Sequence, residues 1–371
     1  MNLKLHIGSE SLDKNSWEEL STKNTFLSFP FKLAFEKNHS SHINHIYYVA
    51  NDNENKAIGY AQQFNIQSSR IRDYQKKNGV KENLISLVLR LLDLKVIALG
   101  NGLLTNISNL SSVKLSNNID FFNALLHRLQ KEVKANKFII PDHFFRELNI
   151  EKPNVVFPEL IKVVVDQDMH LNISKDWNTF EDYTEALKKK YRSRLKSVLR
   201  KSKNVEIKPL TKEHLKKYAD RIQELFVNVH KKSAFGIAPF NTSIYTDLID
   251  LKHPKCMVFG YFLENKMIAF SSELRDETTL YSYFIGLDYN YNRSHRLYER
   301  ILNQTIKDAI ENQKSKIVFG RTAAEFKSNV GAKPIASKIY IYIKNPVIRA
   351  LLRPILSAIK PDKWTQRNPF K

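Results

Sequence analysis

Side chains that can transfer protons or bind anions are concentrated in the stretch from Thr279 to Pro334. A carboxylate, Asp288, and an imidazole, His295, lie between its first two apolar runs, and the cations Arg321 and Lys327 follow its last one. Carboxylates and imidazoles act as general acids and bases, and a cation beside a helix N-terminus favours anion binding. The stretch therefore has the side chains for proton transfer and for holding an anionic group.

A strand and a helix are predicted to position Asp288 and His295. Tyr281 to Ile285 is an aromatic and β-branched run, which is typical of a strand, and apolar residues recur at helical spacing from Leu297 to Ile310. A polar loop is predicted between them, and it contains Asp288, Asn290, Asn292, Arg293 and His295. In this loop Asp288 is either a general base or a cap for the backbone of the loop.

A second strand and a short helix are predicted to position Arg321 and Lys327. Ile317 to Phe319 is a short apolar run, and Thr322 with Glu325 fits the T-x-x-E capping box, which predicts that a helix begins there. Glu325 is then either the capping partner of Thr322 or a base. Since Arg321 and Lys327 flank the start of this helix, we expect them to bind an anionic substrate or donor.

The first half of the chain repeats this order of elements, and each half opens with a hairpin. The hairpin strands are predicted at His45 to Ala50 and Ala57 to Ile66 in the first half, and at Met257 to Leu263 and Met267 to Leu274 in the second. Further first-half elements are predicted at Glu82 to Leu92, Leu94 to Leu99, Ile119 to Asn136, Phe138 to Ile140 and Leu160 to Val165. The agreement in order predicts a duplicated α/β domain.

The composition indicates a globular protein that attracts anions. The chain has 371 residues, 42% of them hydrophobic, which is enough for two domains with their own cores. A formal charge of +21 favours an acidic partner, such as tRNA, an anionic bilayer or an acidic carrier protein, although a lysine-rich surface also occurs without any such partner. The single cysteine, Cys256, excludes an internal disulfide and is expected to be structural.

The sequence patterns predict a cytoplasmic protein, with an option to lie on the inner membrane. The N-terminus lacks the basic and apolar regions of a signal peptide, and no apolar run reaches the length of a spanning helix. The tail from Val347 to Ile359 alternates aliphatic residues with arginines, so it is either a helix packed on its own domain or an interfacial membrane segment. His39, His42 and His45 have no matching acidic or cysteine partner, and no metal site is predicted.

A basic segment separates the two halves. Asn178 to Lys203 has a helical pattern, and no acidic residue occurs from Lys188 onward. The segment is either a solvated helix face or a docking site for phosphate groups. The docking candidates are Lys190, Arg192, Arg194 and Arg200.

The order of elements in the second half resembles the GNAT acyltransferase fold, and the chain as a whole resembles the Fem-type branch, in which two GNAT-like domains are fused. The resemblance is carried by Gly286-Leu287-Asp288, Ser294 to Tyr298, Phe319 to Thr322, Glu325 to Lys327 and Gly331-Ala332. It implies an α/β (α+β) fold of two tandem domains, each with a mixed, mostly antiparallel sheet flanked by helices. We place the domains at 1–168 and 169–345, with a basic amphipathic tail at 346–371.

The resemblance implies an N-acyltransferase that moves an acyl group from a thioester to an amine of a small molecule or lipid precursor. Its donor is acyl-CoA or acyl carrier protein, used as a co-substrate, with no bound cofactor. The chain departs from acetyl-CoA-dependent relatives where their glycine-containing loop meets the helix, because Asn290 to His295 contains no glycine. This departure favours a donor held in another way.

Position along the predicted sheet selects the site residues. Candidate acid and base residues are Asp288, Glu273 and Glu325. Candidate residues for binding substrate or donor are Tyr283, His295, Arg321, Lys327 and Arg293. Two other functions stay open at this point: a Fem-type transfer from aminoacyl-tRNA to a cell-wall precursor, and a non-enzymatic binder of an anionic membrane or nucleic acid.

Overall fold

The computed structural model describes residues 2–52, 55–66, 95–112, 115, 117–232, 240–361 and 363–371. The helix expected from Glu82 to Leu92 lies outside these residues. Within them, no helix is long and apolar enough to cross a membrane.

Strands and helices alternate along the described chain. Up to residue 160 they are β1 (Asn2–Ile7), α1 (Lys14–Ser21), α2 (Phe29–His39), β2 (Ile43–Asp52), β3 (Asn55–Asn65), β4 (Lys95–Ala98), β5 (Leu110–Ser112), α3 (Asn118–Glu132), β6 (Lys137–Pro141), α4 (Asp142–Glu147) and α5 (Pro153–Val156). After it they are β7 (Ile161–Asn172), α6 (Phe180–Ala186), α7 (Lys189–Lys201), β8 (Glu206–Pro209), α8 (Lys212–Lys217), α9 (Ala219–Lys232), α10 (Tyr245–Leu248), β9 (Lys255–Leu263), β10 (Lys266–Arg275), β11 (Thr279–Leu287), α11 (Tyr289–His295), α12 (Leu297–Glu311), β12 (Lys316–Gly320), α13 (Ala324–Ser328), β13 (Lys333–Ile343) and α14 (Pro346–Ser357).

The chain folds into two compact units, each built from separate pieces of sequence. The N-terminal unit comprises residues 1–165, 233–241 and 338–360, and the C-terminal unit comprises residues 166–232, 242–337 and 361–371. The domain limits at 168 and 345 stay a prediction about which pieces fold independently.

The N-terminal unit has a mixed sheet in which most neighbours are antiparallel. β1, β2, β3 and β4 pair antiparallel in that order, and β5 pairs with β3. β4 pairs parallel with β6, and α3 connects the two strands by way of β5. Phe121, Phe122 and Leu125 of α3 are fully buried in a core beside Phe138 of β6. The aromatic burial fixes which face of α3 meets the sheet.

The C-terminal unit repeats this plan. β8, β9, β10 and β11 pair antiparallel, and β11 pairs parallel with β12, to which α12 leads. β12 then pairs antiparallel with the second part of β7. Ile301, Ile306 and Ala309 of α12 are buried against the sheet. The predicted α/β fold class, with a mixed and mostly antiparallel sheet flanked by helices, is confirmed.

The basic segment from Asn178 to Lys203 differs from the single helix that its pattern suggests. It forms α6 and α7, which are separated at Leu187. Leu187 adopts an extended backbone conformation and forms a β-bridge with Phe370. The sequence pattern could not show this break because Leu187 continues the apolar face of both helices.

Candidate active site at the end of strand β12

A buried lysine closes the turn between β12 and α13. β12 ends at Gly320, and the next residues Thr322 and Ala323 also have positive φ angles, 66° and 49°. The Lys327 side chain is only 5% exposed, and its Nζ donates hydrogen bonds to the carbonyl oxygens of Gly320 (3.1 Å) and Arg321 (2.6 Å). The turn therefore holds an amine in a fixed place at the carboxyl end of a central strand.

Burial lowers the pKa of Lys327 to about 7, because the charged form loses its hydration, while the carboxylates of Asp168 and Asp166 act in the opposite direction. An amine with such a pKa exists as both ammonium and neutral amine near neutral pH. It can therefore donate a hydrogen bond as an ammonium or accept a proton as an amine.

A carboxylate and an imidazole lie on β7, the neighbour of β12. Oδ2 of Asp168 lies 3.0 Å from Nε2 of His170, and both side chains are largely buried. Oδ1 of Asp168 is buried and accepts no hydrogen bond from the residues that the structure describes. His170 is paired in register with Val318 of β12. The pair was not among the predicted site residues, although it has the composition of a general-base pair.

Tyr281, near the start of β11, lies close to the carboxylates of Asp168 and Asp276. Tyr281 donates a hydrogen bond from its hydroxyl to Oδ2 of Asp276 at 3.2 Å. Burial and the negative charges of Asp276 and Asp168 raise the pKa of Tyr281, so its hydroxyl keeps its proton at neutral pH. Lys327, the Asp168 and His170 pair, and Tyr281 thus lie around the carboxyl end of β12, where this strand runs between β7 and the first part of β11.

β11 and β12 pair over a short distance only. The parallel ladder consists of three residue pairs, from Thr279 with Lys316 to Tyr281 with Val318. β11 continues to Leu287 along its other neighbour, β10. In the described part of the chain, the edge of β11 beyond Tyr281 has no strand partner on the β12 side.

The capping box expected at Thr322 and Glu325 is wrong. The N-cap of α13 is Ala323, in a left-handed conformation, and no side chain caps the helix. Thr322 is itself left-handed, so it does not take the extended backbone conformation that a capping threonine needs. Glu325 instead pairs with Arg367, whose Nε lies 3.1 Å from its Oε1.

The polar loop expected after β11 is largely helical. Residues 289–295 form α11, with Asp288 as its N-cap, and the helix ends at Arg296, which has a φ of 51°. Asp288 accepts a hydrogen bond from the backbone N–H of Asn290 at 3.2 Å, so the expected capping role is confirmed. His295 completes α11, and its Nδ1 contacts the Ser294 hydroxyl at 2.9 Å.

Asp288 is held as a carboxylate by cations. Nη2 of Arg221 donates to its Oδ2 at 2.8 Å, and Nζ of Lys266 lies 3.9 Å away. Burial acts to raise the pKa of Asp288, but the hydrogen bonds from Arg221 and Asn290 outweigh it and the pKa is lowered. Asp288 therefore links α9, β10 and α11, and its role as a base stays a prediction.

Glu273 belongs to a buried network between β10 and α12. Nη2 of Arg275 lies 3.0 Å from Oε2 of Glu273 and also contacts Asp308. Burial and the Asp308 carboxylate raise the pKa of Glu273 well above its ordinary range. The network thus places two buried carboxyl groups around one arginine cation, and the raised pKa of Glu273 favours its protonated form. A catalytic role for Glu273 also stays a prediction.

Four residues that were not predicted as site residues, Glu299, Arg296, Tyr298 and Phe326, form a second cluster with Arg194 at the start of α12. Glu299 accepts hydrogen bonds from Nε of Arg194 (2.8 Å) and from both Nε and Nη2 of Arg296 (2.6 Å). The ring of Phe326, which is 46% exposed, meets that of Tyr298 edge to face at 5.7 Å, and the Arg194 guanidinium lies 5.9 Å from it. The cluster carries one net positive charge beside an exposed aromatic ring.

The remaining predicted residues are distributed around this region. Tyr283 lies on β11 next to Phe284, and burial raises its pKa well above the ordinary range. Arg293 is exposed on α11, and Lys190 and Arg200 are exposed on α7. Arg192 donates instead to the carbonyl oxygen of Leu187 at 3.1 Å. The structure thus brings Arg321 and Lys327 together and connects α7 to α12 through Arg194.

The N-terminus of α12 does not fit a pyrophosphate group bound by backbone N–H groups. Oδ1 of Asn292 already accepts the N–H of Tyr298 at 3.0 Å. The Glu299 carboxylate lies in the first turn of the helix, where it repels a phosphate. The nucleotide part of a coenzyme A donor therefore needs another place on this protein.

Comparison with known proteins finds one family model that matches part of the chain and several structures with a similar fold. Residues 187–328 match the family model of the acetyltransferase (GNAT) domain. The structure is similar to that of a conserved protein of unknown function from Bacteroides thetaiotaomicron VPI-5482, with a TM-score of 0.54, 13% identity, and coverage of 92% of this chain and 100% of the other. It is also similar to the crystal structure of FemX, with a TM-score of 0.52, 10% identity, and coverage of 95% and 100%. A comparison with curated protein sequences finds no match.

The match includes β8 to β12 and the turn that carries Lys327. The two similar structures extend over nearly the whole chain, including the N-terminal unit. The predicted resemblance is thus confirmed: residues 187–328 match the GNAT domain model, and the fold of nearly the whole chain is similar to that of FemX.

Proposed function

We propose that this protein is an N-acyltransferase that transfers an acyl group from a thioester donor, acyl-CoA or acyl carrier protein, to the amine of a small molecule or lipid precursor. The observation that carries the proposal is the buried amine of Lys327 beside Asp168 and His170, at the end of a strand in a GNAT domain. We place its work in the cytoplasm, at the inner face of the membrane when the acceptor is a lipid.

The open edge of β11 is the proposed binding place for the arm of the donor. The backbone N–H and C=O groups beyond Tyr281 have no strand partner on the β12 side among the described residues. An extended arm that contains amide groups can pair with such an edge as an added strand. This binding would bring the thioester carbonyl between the ends of β11 and β12, close to Lys327.

The proton transfers are assigned to His170 and Lys327. An acceptor amine is an ammonium ion at neutral pH and must lose a proton before it attacks. His170, oriented by Asp168, takes this proton. The amine nitrogen then bonds to the carbonyl carbon, and the ammonium of Lys327 donates a hydrogen bond to the oxyanion. When the intermediate collapses, the carbon–sulfur bond breaks, the nitrogen loses its second proton and the thiolate gains one, which gives an amide and a free thiol.

The basic residues are proposed to bind the phosphate of the donor. Because Asn292 and Glu299 occupy the start of α12, we assign this role to the exposed cations of α7. A carrier protein is acidic and presents its single phosphate on a protein surface, so it suits such a dispersed basic face. Coenzyme A remains the alternative thioester donor.

A Fem-type transfer from aminoacyl-tRNA to a cell-wall precursor is the second candidate. It is favoured by the row of exposed cations along α7, Lys189, Lys190, Lys196, Arg200 and Lys201, which suits a phosphate backbone. The chemistry at Lys327 would be the same, with an ester in place of the thioester. Binding of tRNA whose affinity falls steeply with salt, and amide formation with aminoacyl-tRNA alone, would favour this candidate over the first.

The proposal is tested by supplying purified protein with acyl-CoA, acyl carrier protein or aminoacyl-tRNA and an extract of amine metabolites and lipids. We expect mass spectrometry to find a new amide with one donor class, and we expect Lys327→Ala to abolish it. Lys314→Ala is a matched control, since Nζ of Lys314 also donates to two backbone carbonyls, those of Asp276 (2.7 Å) and Glu277 (3.0 Å). Equal activity of the two variants, or no amide with any donor, would contradict the proposal.

A further inference from the structure

Helix α14 is apolar on two sides, although only one side is buried. Its inward residues pack on the N-terminal unit, where they extend a core formed by β7 and β13. These inward residues are Ile348, Leu352, Ile355 and Leu356. The inward face of α14 is therefore packed on its own unit, which is one of the two alternatives that the sequence left open.

The opposite face of α14 is exposed and carries no charge. Its residues recur at helical spacing, and all of them are exposed: Val347, Ala350, Leu351, Pro354 and Ala358. Val347 is 66% exposed and Leu351 is 61% exposed, which is unusual for large aliphatic side chains. A helix that is apolar all round is normally buried all round. The outward stripe of α14, defined by these five residues, thus lacks a covering surface among the described residues of its own unit.

Two arginines lie along the flank of the outward stripe, and their positions are fixed by backbone carbonyls. Nη1 of Arg349 donates to the carbonyl oxygen of Ile343 at 2.9 Å, and Nη2 of Arg353 donates to that of Pro158 at 2.7 Å. The segment just before Pro158 adds two exposed valines, Val155 at 66% and Val156 at 41%. Cationic groups are therefore held beside apolar side chains.

All charged residues in the sequence around α14 are basic. Between Lys333 and Lys360 there are six cations and no acidic residue: Lys333, Lys338, Lys344, Arg349, Arg353 and Lys360. Lys344 and Lys360 lie at the two ends of the helix. An apolar stripe between cations complements a surface that is apolar inside and anionic outside.

We propose that the outward stripe of α14 binds an anionic lipid bilayer, with the helix lying parallel to the membrane plane. Val347, Leu351 and Pro354 would enter the boundary between headgroups and acyl chains, and the flanking cations would meet lipid phosphates. Each lysine or arginine near an anionic surface strengthens binding about fivefold. This proposal is independent of the reaction proposed above, since it concerns a different unit and predicts binding without any donor or acceptor.

A second copy of the chain is a weaker match for the same stripe. In a two-fold dimer the same surface patch of both copies forms the interface. The cations Lys344, Lys360, Arg349 and Arg353 of one copy would therefore lie close to the same cations of the other. No acidic residue occurs between Lys333 and Lys360 to offset this repulsion.

The test is flotation of the full-length protein with vesicles of phosphatidylcholine, with and without phosphatidylglycerol, in low and high salt. We expect binding that requires phosphatidylglycerol and weakens with salt, and we expect Leu351→Asp to reduce it on the order of tenfold. Ile7→Asp is the matched control, because Ile7 lies on β1 of the same unit and is also 61% exposed. Circular dichroism melting checks that both variants fold.

Insertion is measured separately with Leu351→Trp. The fluorescence of this tryptophan is expected to shift to shorter wavelength and to be quenched by brominated acyl chains. Equal binding of Leu351→Asp and Ile7→Asp would overturn the proposal. A dimer in solution that Leu351→Asp dissociates, with unchanged vesicle binding, would overturn it in favour of a second copy.

Discussion

Nζ of Lys327 lies 2.6 Å from the carbonyl oxygen of Arg321, so the side chain of α13 holds the turn that leads into its own helix. Because the amine is buried, its pKa is lowered to about 7. The ammonium predominates below this pH and is lost as the pH rises through it. If the ammonium binds the oxyanion, kcat/KM falls about tenfold per pH unit above pH 7. Rates measured from pH 6 to 9 test this, and in Lys327→Arg the high-pH decrease should disappear, because arginine keeps its charge. A decrease that persists in this variant would assign it to another group.

The same shift affects stability. In the unfolded chain the lysine has its ordinary pKa, about 10.4, so between pH 7 and pH 10 the unfolded state binds more protons than the folded state. The free energy of unfolding is therefore expected to increase with pH across this range, by a few kcal/mol at most. Denaturant titrations of the wild type and of Lys327→Met would show it, since the variant lacks this contribution. Parallel pH profiles of the two proteins would contradict the lowered pKa.

His170→Gln is expected to lower kcat by roughly 10²- to 10⁴-fold, the usual effect of removing a general base, with little change in KM. Asp168→Asn should reduce kcat less, because Asp168 lies 3.0 Å from Nε2 of His170 and orients the imidazole. His127→Gln, on the exposed side of α3, is the control. Rescue of His170→Gln by added imidazole would support proton transfer over a structural role.

Variants of Glu273 and Arg275, in the buried network between β10 and α12, distinguish a catalytic role from a structural one. Since burial and Asp308 raise the pKa of Glu273 and so favour its neutral form, Glu273→Gln is expected to keep the melting temperature and, if Glu273 is structural, the rate. Arg275→Met should cost about 3–5 kcal/mol, because it leaves Asp308 buried without its cation. Thermal unfolding and kcat of both variants decide the question. A large rate loss in a stable Glu273→Gln protein would restore Glu273 as the catalytic base.

The cluster at the start of α12 is expected to set the affinity for an anionic donor. Glu299→Gln removes a carboxylate and leaves Arg194 and Arg296 uncompensated, so the KM for the donor should fall a few-fold and depend more on salt. Arg194→Ala should raise KM. Arg128→Ala, which breaks an exposed pair with Glu132 on α3, is the control. No change in KM for Glu299→Gln would place donor binding elsewhere.

The fold was largely predictable because its strands and helices have clear periodicities. The hairpin β9 and β10, the helix α12 and the short strand β12 lie within one or two residues of their predicted limits. The limits of helices were not predictable where they depend on tertiary contacts. The break at Leu187 depends on its pairing with Phe370, far along the chain.

The site was predictable only in part. Lys327 was selected by its position after a strand, but its burial and its carbonyl partners depend on three left-handed residues in the turn, which sequence patterns do not show. Asp168 and His170 were missed because the predicted strand ended at Val165. The alternation Asp166, Asp168, His170 was the available signal, since it continues one face of a strand. The pairing of Arg194 with Glu299 required knowledge of which helices are neighbours.

The open edge of β11 has a consequence for donor choice. From Ser282 to Leu287 it extends about 17 Å at the usual rise of a strand, and it leads from the level of Lys327 to the cap of α11 at Asp288. A donor arm bound along this edge must match the length of the edge. One end of the arm lies at the reacting carbonyl, and its charged group must lie where the edge ends. β11 would thus act as a ruler that selects donors by the distance between thioester and phosphate.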